Sequence, residues 1–124
     1  PFQVLEYGRF LPEQYKESLT KAKFMVYLSQ SESQGMALHE AWMAGVPTLV
    51  WDQGFYFYKG NRWADQGIPA PYLTPECGLF FKGLDDFENQ LDIFLKNYQN
   101  FTPRRYSLLN FTDAICAKRY LELI

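Results

Sequence analysis

The sequence has few of the residues that build metal sites and disulfide frameworks. It contains a single histidine, His39, and two cysteines, Cys77 and Cys116, which lie far apart and form no CxxC pair. This spacing argues against a structural metal site and against a disulfide-stabilised domain. A reducing compartment is the simpler interpretation, and we expect a cytoplasmic protein.

Long apolar runs and basic clusters are also missing. No stretch approaches the ~20 apolar residues that span a bilayer, and no signal peptide is visible. The formal net charge is -2 and no block of basic residues occurs, so nucleic-acid binding has no electrostatic footprint. The 124 residues, 48% hydrophobic and 21% charged, suit one globular domain. The chain opens on Pro1 instead of Met, and we expect a fragment of a longer protein.

Short apolar segments alternate with helical ones along the chain. This alternation predicts an α/β fold with a parallel sheet, flanked by helices on both faces, whose ligands bind at the carboxyl ends of the strands. Two polar loops, 29–35 and 52–61, follow predicted strands and mark the expected site. The predicted strands are residues 2–7, 23–29, 47–51 and 78–81. The predicted helices begin at Pro12, Gly35, Leu84 and Thr102, with a new start at Thr112 or Asp113 and an aromatic loop or short helix at 52–62.

A carboxylate interrupts the most apolar of these helices, which runs from Gly35 to Ala44. Small or apolar residues cover almost its whole circumference, so we expect it to be buried on most sides. Glu40 lies in its middle, with no cation one turn away. A buried, unpaired carboxylate is costly. Glu40 therefore either meets a cation from another segment or faces a cleft visited by a polar ligand, such as a vicinal diol.

Several neighbours of Glu40 each allow a structural and a functional interpretation. Glu32 is either a helix-dipole partner or a ligand contact. Gly35 either permits a tight turn or lets backbone N–H groups approach an anion at the helix N-terminus. Ser31 or Ser33 either caps the helix or touches a phosphate. His39 is more simply a packed residue than a ligand contact.

Taken together, these residues resemble the donor-binding signature of retaining glycosyltransferases with the GT-B fold. In that family, two acids in an E-x7-E spacing frame a loop and a helix. The matching positions are Ser29, Glu32, Gly35, Glu40-Ala41 and Gly45-Val46-Pro47. The likeness covers most of the chain and is strongest from residue 26 to 51.

The resemblance implies that residues 1–124 are one nucleotide-sugar-binding domain, most of the C-terminal half of a GT-B enzyme. Glu40 is then expected to accept hydrogen bonds from the ribose diol, and Glu32, the expected catalytic acid, lies near the donor sugar. Ser31 and the amides around Gly35, Met36 and Ala37 are expected to meet the distal phosphate. The reaction is metal-independent and cofactor-free transfer of a hexosyl group to an acceptor hydroxyl, with retention, in polysaccharide or glycolipid synthesis.

The same resemblance sets the expected partners and limits. They are a nucleotide-sugar donor and the enzyme's own N-terminal, acceptor-binding domain, with peripheral contact to the inner face of a membrane as a further option and no nucleic acid. The resemblance implies that the family's basic residues that meet the pyrophosphate, and the whole acceptor-binding domain, lie upstream of this chain. Because half of the cleft would then be missing, we expect the chain alone to be inactive. The family's small glycines after the strand at 47–51 are replaced by an aromatic loop.

Three alternatives stay open. A nucleotide-sugar epimerase domain shares the fold, and a non-catalytic nucleotide-binding module would keep the fold alone. An unrelated flavodoxin-like domain would need a phosphate loop after the first strand, where residues 8–11 carry a single glycine. The aromatic residues around 51–63 either stack a base or belong to the core and to a covered surface.

Overall fold

A computed structural model describes residues 2–124, which build a three-stranded parallel sheet flanked by helices and a separate two-stranded hairpin. The helices are α1 (Pro12–Lys21), α2 (Met36–Met43), α3 (Leu84–Lys96), α4 (Pro103–Asn110) and α5 (Asp113–Leu123). The strands are β1 (Met25–Tyr27), β2 (Thr48–Trp51), β3 (Phe55–Tyr58), β4 (Asn61–Ala64) and β5 (Gly78–Phe81).

The parallel sheet has the order β1-β2-β5, so the central strand is β2. Leu49 aligns with Val26 on one side and with Leu79 on the other. Strand β2 has a neighbouring strand on each edge and helices on each face. Its first three residues, Thr48, Leu49 and Val50, are therefore buried. The predicted α/β class with a parallel sheet is confirmed.

Alternate residues of β2 point to two different layers of helices. Val50 packs in one cluster with Leu38 and Trp42 of α2, whereas Leu49 packs in another with Phe94 of α3. This alternation follows from the two-residue period of a strand. The sheet is thus covered on both faces, and its carboxyl edge is left for a site.

The first predicted strand is wrong, and the second is shorter than predicted. Residues 2–6 have no regular structure, and most of them are exposed. The β-rich composition of residues 2–7 was the whole basis for that prediction, and β-propensity depends on a pairing partner. Of residues 23–29 only Met25–Tyr27 pair with β2.

The aromatic segment 52–62 folds differently from its prediction as a loop or short helix. It forms most of an antiparallel hairpin, in which Tyr56 pairs with Trp63 and Tyr58 with Asn61. The turn consists of Lys59 and Gly60, both with positive φ. A two-residue turn of this kind joins antiparallel strands, and the four consecutive aromatic residues of β3 favour a strand.

Helix α2 begins and ends at glycines, as the sequence indicates. Gly35 is its N-cap with φ 73°, a left-handed conformation that glycine adopts without steric cost. Gly45, with φ 82°, donates its N–H to the carbonyl of Trp42, and Val46 donates to Ala41. This is a Schellman ending. Farther on, the Thr112 hydroxyl accepts from the Ile115 N–H at 3.4 Å, which confirms the predicted start of α5.

Candidate functional site

A cleft of about 690 Å³ lies at the carboxyl ends of the three parallel strands. Glu32 follows β1, Asp52 follows β2 and Lys82 follows β5, and all three line the cleft. Parallel α/β sheets bind their ligands at this edge. The remaining lining residues come from the hairpin, from β5 and from the loop that follows the hairpin: Tyr56, Trp63, Asp65, Gln66, Gly67, Ile68, Ala70, Pro71, Leu73 and Phe80.

Glu32 is half-buried and held by one of its two carboxylate oxygens. Its Oε1 accepts hydrogen bonds from the Tyr27 hydroxyl at 2.5 Å and from the Ser29 hydroxyl at 3.2 Å, while its backbone N–H donates to Ile68 at 3.1 Å. Burial, and then the bond to Glu32, raises the pKa of Tyr27, so this phenol stays a donor at neutral pH. The other oxygen, Oε2, makes no hydrogen bond to any residue from 2 to 124 and remains an acceptor.

Asp52 is a cleft residue that the sequence analysis did not single out. It is only 5% exposed, and its two oxygens accept from the N–H groups of Gly54 at 3.0 Å and Gly67 at 2.8 Å. These glycines lie on either side of the hairpin, so one carboxylate ties both ends of it to the end of β2. The feature of the sequence that could have identified Asp52 is its position directly after the apolar run at 47–51.

The cleft is rich in acids and poor in bases. Three carboxylates, Glu32, Asp52 and Asp65, line it together with one lysine, Lys82. Within residues 2–124 the ion pairs all join acids and bases three or four positions apart on the exposed surface, and none lies in the cleft. Arg62 precedes the cleft residue Trp63 in sequence, but its guanidinium stacks on the ring of Phe55, with Cζ 3.8 Å from the ring centroid.

The N-terminus of α2 follows Glu32 by one short turn. No side chain caps the helix at Gly35, so the capping interpretation of Ser31 and Ser33 is excluded. Ser31 is exposed, and its carbonyl accepts from the Ser29 hydroxyl at 3.2 Å. The first N–H groups of a helix have no partner within it, and those of Met36 and Ala37 therefore remain donors that an anion can use.

Glu40 is exposed, which corrects the expectation that it is buried. Helix α2 buries Leu38, Ala41 and Trp42, while Met36 is 64% exposed one turn before Glu40. The sheet, α1 and α4 cover the sides of α2 that carry Leu38, Ala41 and Trp42, and apolar composition alone does not bring a cover to the side of Glu40. The argument that burial forces Glu40 to find a ligand is therefore wrong.

The surroundings of Glu40 nevertheless leave its carboxylate free. Within residues 2–124 it has no ion-pair or hydrogen-bond partner, and it does not line the cleft beside Glu32. Its neighbour is Tyr15 of α1, whose hydroxyl donates to the carbonyl of Ala37 at 2.6 Å. Burial, and then the charge of Glu40, raises the pKa of Tyr15. Of the two acids of the E-x7-E motif, only Glu32 therefore lines the cleft.

His39 is packed among aromatic rings, which agrees with its structural interpretation. Its ring centroid lies 5.1 Å from that of Trp42, 5.4 Å from Tyr72 and 4.6 Å from Phe111. Burial lowers its pKa, against a smaller opposite effect of the Gln34 backbone. It lines a second cavity of about 320 Å³, beside the buried Ser107, whose hydroxyl has no hydrogen-bond partner among the described residues.

Comparison with protein-family models, with curated proteins and with solved structures gives no match for this chain. In the part of the chain that the structure describes, no three histidine, cysteine or acidic residues gather as a metal site. None of the helices between residues 2 and 124 has the length and apolar character that crossing a bilayer requires.

Proposed function

We propose that this chain binds a nucleotide-sugar and forms the donor-binding part of a retaining glycosyltransferase with the GT-B fold. The sequence supports this proposal through the motif from Ser29 to Pro47. The structure adds a parallel α/β sheet and an open cleft at its carboxyl edge, where such a ligand is expected.

One observation carries the proposal. The segment leaving β1 places Glu32 on the cleft and then begins α2 at an uncapped, left-handed Gly35. A carboxylate oxygen without a partner and a free helix N-terminus therefore lie close together in sequence, the carboxylate on the cleft and Met36 on the second cavity. The oxygen suits a sugar hydroxyl, and the amides of Met36 and Ala37 suit the distal phosphate.

In the proposed complex, each of these groups contacts a different part of the donor. Glu32 accepts a hydrogen bond from the donor sugar, and its negative charge favours the positive charge that develops on the ring as the bond to the diphosphate breaks. The start of α2 favours the charge on the departing diphosphate. Glu40 accepts from the ribose diol, a role for which its exposure and lack of partners leave it available.

Calorimetric titration with UDP, GDP and ADP tests nucleotide binding directly. We expect one nucleoside diphosphate to bind weakly, and Glu40→Ala to reduce its affinity about tenfold, since a hydrogen bond to a charged acceptor contributes about 1.5–3 kcal/mol. Glu88→Ala, an exposed acid on α3 at the other face of the sheet, is the matched control and should bind like the wild type.

The outcomes separate the roles. If no nucleoside diphosphate binds saturably, the donor-binding function is wrong, and so is a non-catalytic nucleotide-binding module. If binding persists unchanged in Glu40→Ala, the ribose assignment alone is wrong. Circular dichroism melting curves should show that both variants remain as stable as the wild type, because neither side chain makes a contact that the fold needs.

A further inference from the structure

The charges of the cleft restrict what its ligand can be. Three carboxylates face one lysine there, and none of these acids is paired with a base. Like charges that share one partly desolvated cleft repel each other. A second anionic group, such as the carboxylate of a uronic acid, is therefore disfavoured, whereas an uncharged polyol finds acceptors for its hydroxyl groups.

An aromatic wall forms one side of the same cleft. Tyr56 and Trp63 are paired across the hairpin, with ring centroids 4.9 Å apart and planes at 41°, and both line the cleft. Trp63 remains 48% exposed. Ligand clefts are typically lined by aromatic and apolar side chains with a few polar groups among them.

Trp63 differs from the two other tryptophans in its indole N–H. The indole of Trp42 donates to the Thr48 hydroxyl at 3.0 Å, and that of Trp51 donates to the carbonyl of Lys82 at 3.1 Å. The indole N–H of Trp63 has no partner within residues 2–124. Trp63 therefore offers a ligand both a ring face and an unused donor.

Two carboxylates of the cleft, those of Glu32 and Asp65, each have one oxygen without a hydrogen-bond partner among residues 2–124. Oε2 of Glu32 has no partner, while its Oε1 is fixed by Tyr27 and Ser29. One oxygen of Asp65 accepts from the Gln66 N–H at 2.8 Å, and the other has no partner in the described chain. Asp52 is different, because both of its oxygens are occupied in holding the hairpin. The cleft thus combines a flat apolar face with two acidic acceptors.

A pyranose ring has the matching two-sided chemistry, with an apolar C–H face and hydroxyl groups around its rim. We propose that the cleft holds an uncharged hexose of the donor, stacked on Trp63 and hydrogen-bonded to Glu32 and Asp65, and that its acids exclude uronic acids. This inference rests on the proposed function and names the class of sugar it transfers. The hairpin, pinned by Asp52, is then the part of the site that selects the sugar.

Sugar binding can be measured without the nucleotide. The wild-type chain, labelled with ¹⁵N, is titrated with the methyl glycosides of glucose, galactose and mannose and with methyl glucuronide. We expect the Trp63 indole N–H signal to shift saturably with at least one hexoside. The uronide should bind about tenfold more weakly at neutral pH, because its carboxylate meets the acids of the cleft.

Variants assign the contacts, with saturation transfer to the sugar protons as the readout. Trp63→Ala should abolish the transfer, and Trp63→Phe should keep most of it because the ring face remains. Glu32→Gln should weaken hexoside binding and reduce the discrimination against the uronide. Phe57→Ala is the matched control: this exposed hairpin residue does not line the cleft and should change nothing.

The two proposals fail separately. Saturable nucleoside diphosphate binding with no hexoside response, or with the uronide bound equally well, would overturn the sugar assignment and leave the nucleotide site standing. Hexoside binding without any nucleotide binding would overturn the donor-site function. A Trp63→Phe variant that folds like the wild type but behaves like Trp63→Ala would show that ring stacking is not the contact.

Discussion

Of the glycines, Gly78 has the least space for a side chain. It aligns with Thr48 in the parallel ladder, and a Cβ added there would lie 1.7 Å from the Thr48 carbonyl oxygen. No side-chain movement relieves a clash with a backbone atom inside a sheet. At this residue the approach of β5 to β2 is therefore set by the absence of a side chain.

We predict that Gly78→Ala lowers the free energy of unfolding by about 3 kcal/mol or more, in the range reserved for core overpacking and backbone strain. Urea denaturation followed by circular dichroism measures this. Gly83→Ala, at the N-cap of α3, is the control, because nothing lies within 4 Å of its added Cβ, and it should cost about 1 kcal/mol or less, since alanine is a poorer N-cap than glycine. Equal effects of the two substitutions would contradict the argument from space.

His39 carries a prediction about pH. Burial lowers the pKa of His39 in the folded chain, whereas a histidine in the unfolded chain has a pKa of about 6.5. As the solution is acidified, the unfolded chain therefore binds more protons than the folded chain. Stability from the neutral ring is complete above the unfolded value and decreases as the pH falls through it toward the folded value.

Thermal melting between about pH 7 and pH 5 should therefore show a loss of stability that His39→Phe reduces. Phenylalanine keeps an aromatic ring against Trp42 and Phe111 but has no proton to bind. Because His39 is the only histidine, the difference between the two pH profiles isolates its contribution. Parallel profiles for the two proteins would show that the imidazole is not desolvated.

At the scale of elements, one carboxylate joins both ends of the hairpin to the end of β2. Strands β3 and β4 pair only with each other, and two-stranded hairpins are marginally stable on their own. Asp52 supplies the missing support by accepting from Gly54 and Gly67 at the two ends. This places the aromatic pair Tyr56 and Trp63 over the cleft.

We predict that Asp52→Ala destabilises the protein by about 2–4 kcal/mol, since two hydrogen bonds to a charged acceptor are lost. Asp52→Asn, with one acceptor oxygen, should lose about half as much. Hydrogen exchange should speed up most in residues 54–67. Asp65→Asn is the control, with a single exposed bond to Gln66 and an expected change within about 0.5 kcal/mol. Unchanged exchange in the hairpin of Asp52→Ala would contradict its pinning role.

At the scale of the whole molecule, binding and catalysis are expected to separate. A diphosphate leaving group needs cations or their equivalent, and the described cleft offers Lys82 against three carboxylates. The N-terminus of a helix such as α2 adds the equivalent of about half a positive charge. If the proposed function is correct, we therefore expect the chain to bind a nucleoside diphosphate weakly and to do little to stabilise its departure.

We predict that these 124 residues do not transfer sugar from UDP-, GDP- or ADP-hexoses to added acceptors, as measured by release of the nucleoside diphosphate. Calorimetric binding in the same preparation serves as the control that the protein is active as a binder. Sugar transfer or donor hydrolysis above the rate without protein would contradict this prediction and show that the cleft holds its own leaving-group stabilisation.

The sequence by itself determined the elements that have short-range causes. The apolar runs at Pro47–Trp51 and Gly78–Phe81, the glycines at both ends of α2 and the start of α5 at Thr112 all depend on neighbours a few residues away. Such local preferences are readable in order along the chain, and with the alternation of strands and helices they were enough to predict a parallel sheet and the edge of it at which the cleft lies.

Only the tertiary structure decided which side chains meet at that edge. It left Glu40 exposed, because covering an apolar helix requires another element to lie against it, and none covers that side within residues 2–124. It also placed Asp52 between Gly54 and Gly67, and Trp63 over the cleft beside Glu32. Contacts of this kind join residues far apart in sequence, so their energies depend on how the whole chain packs and leave no periodic mark along it.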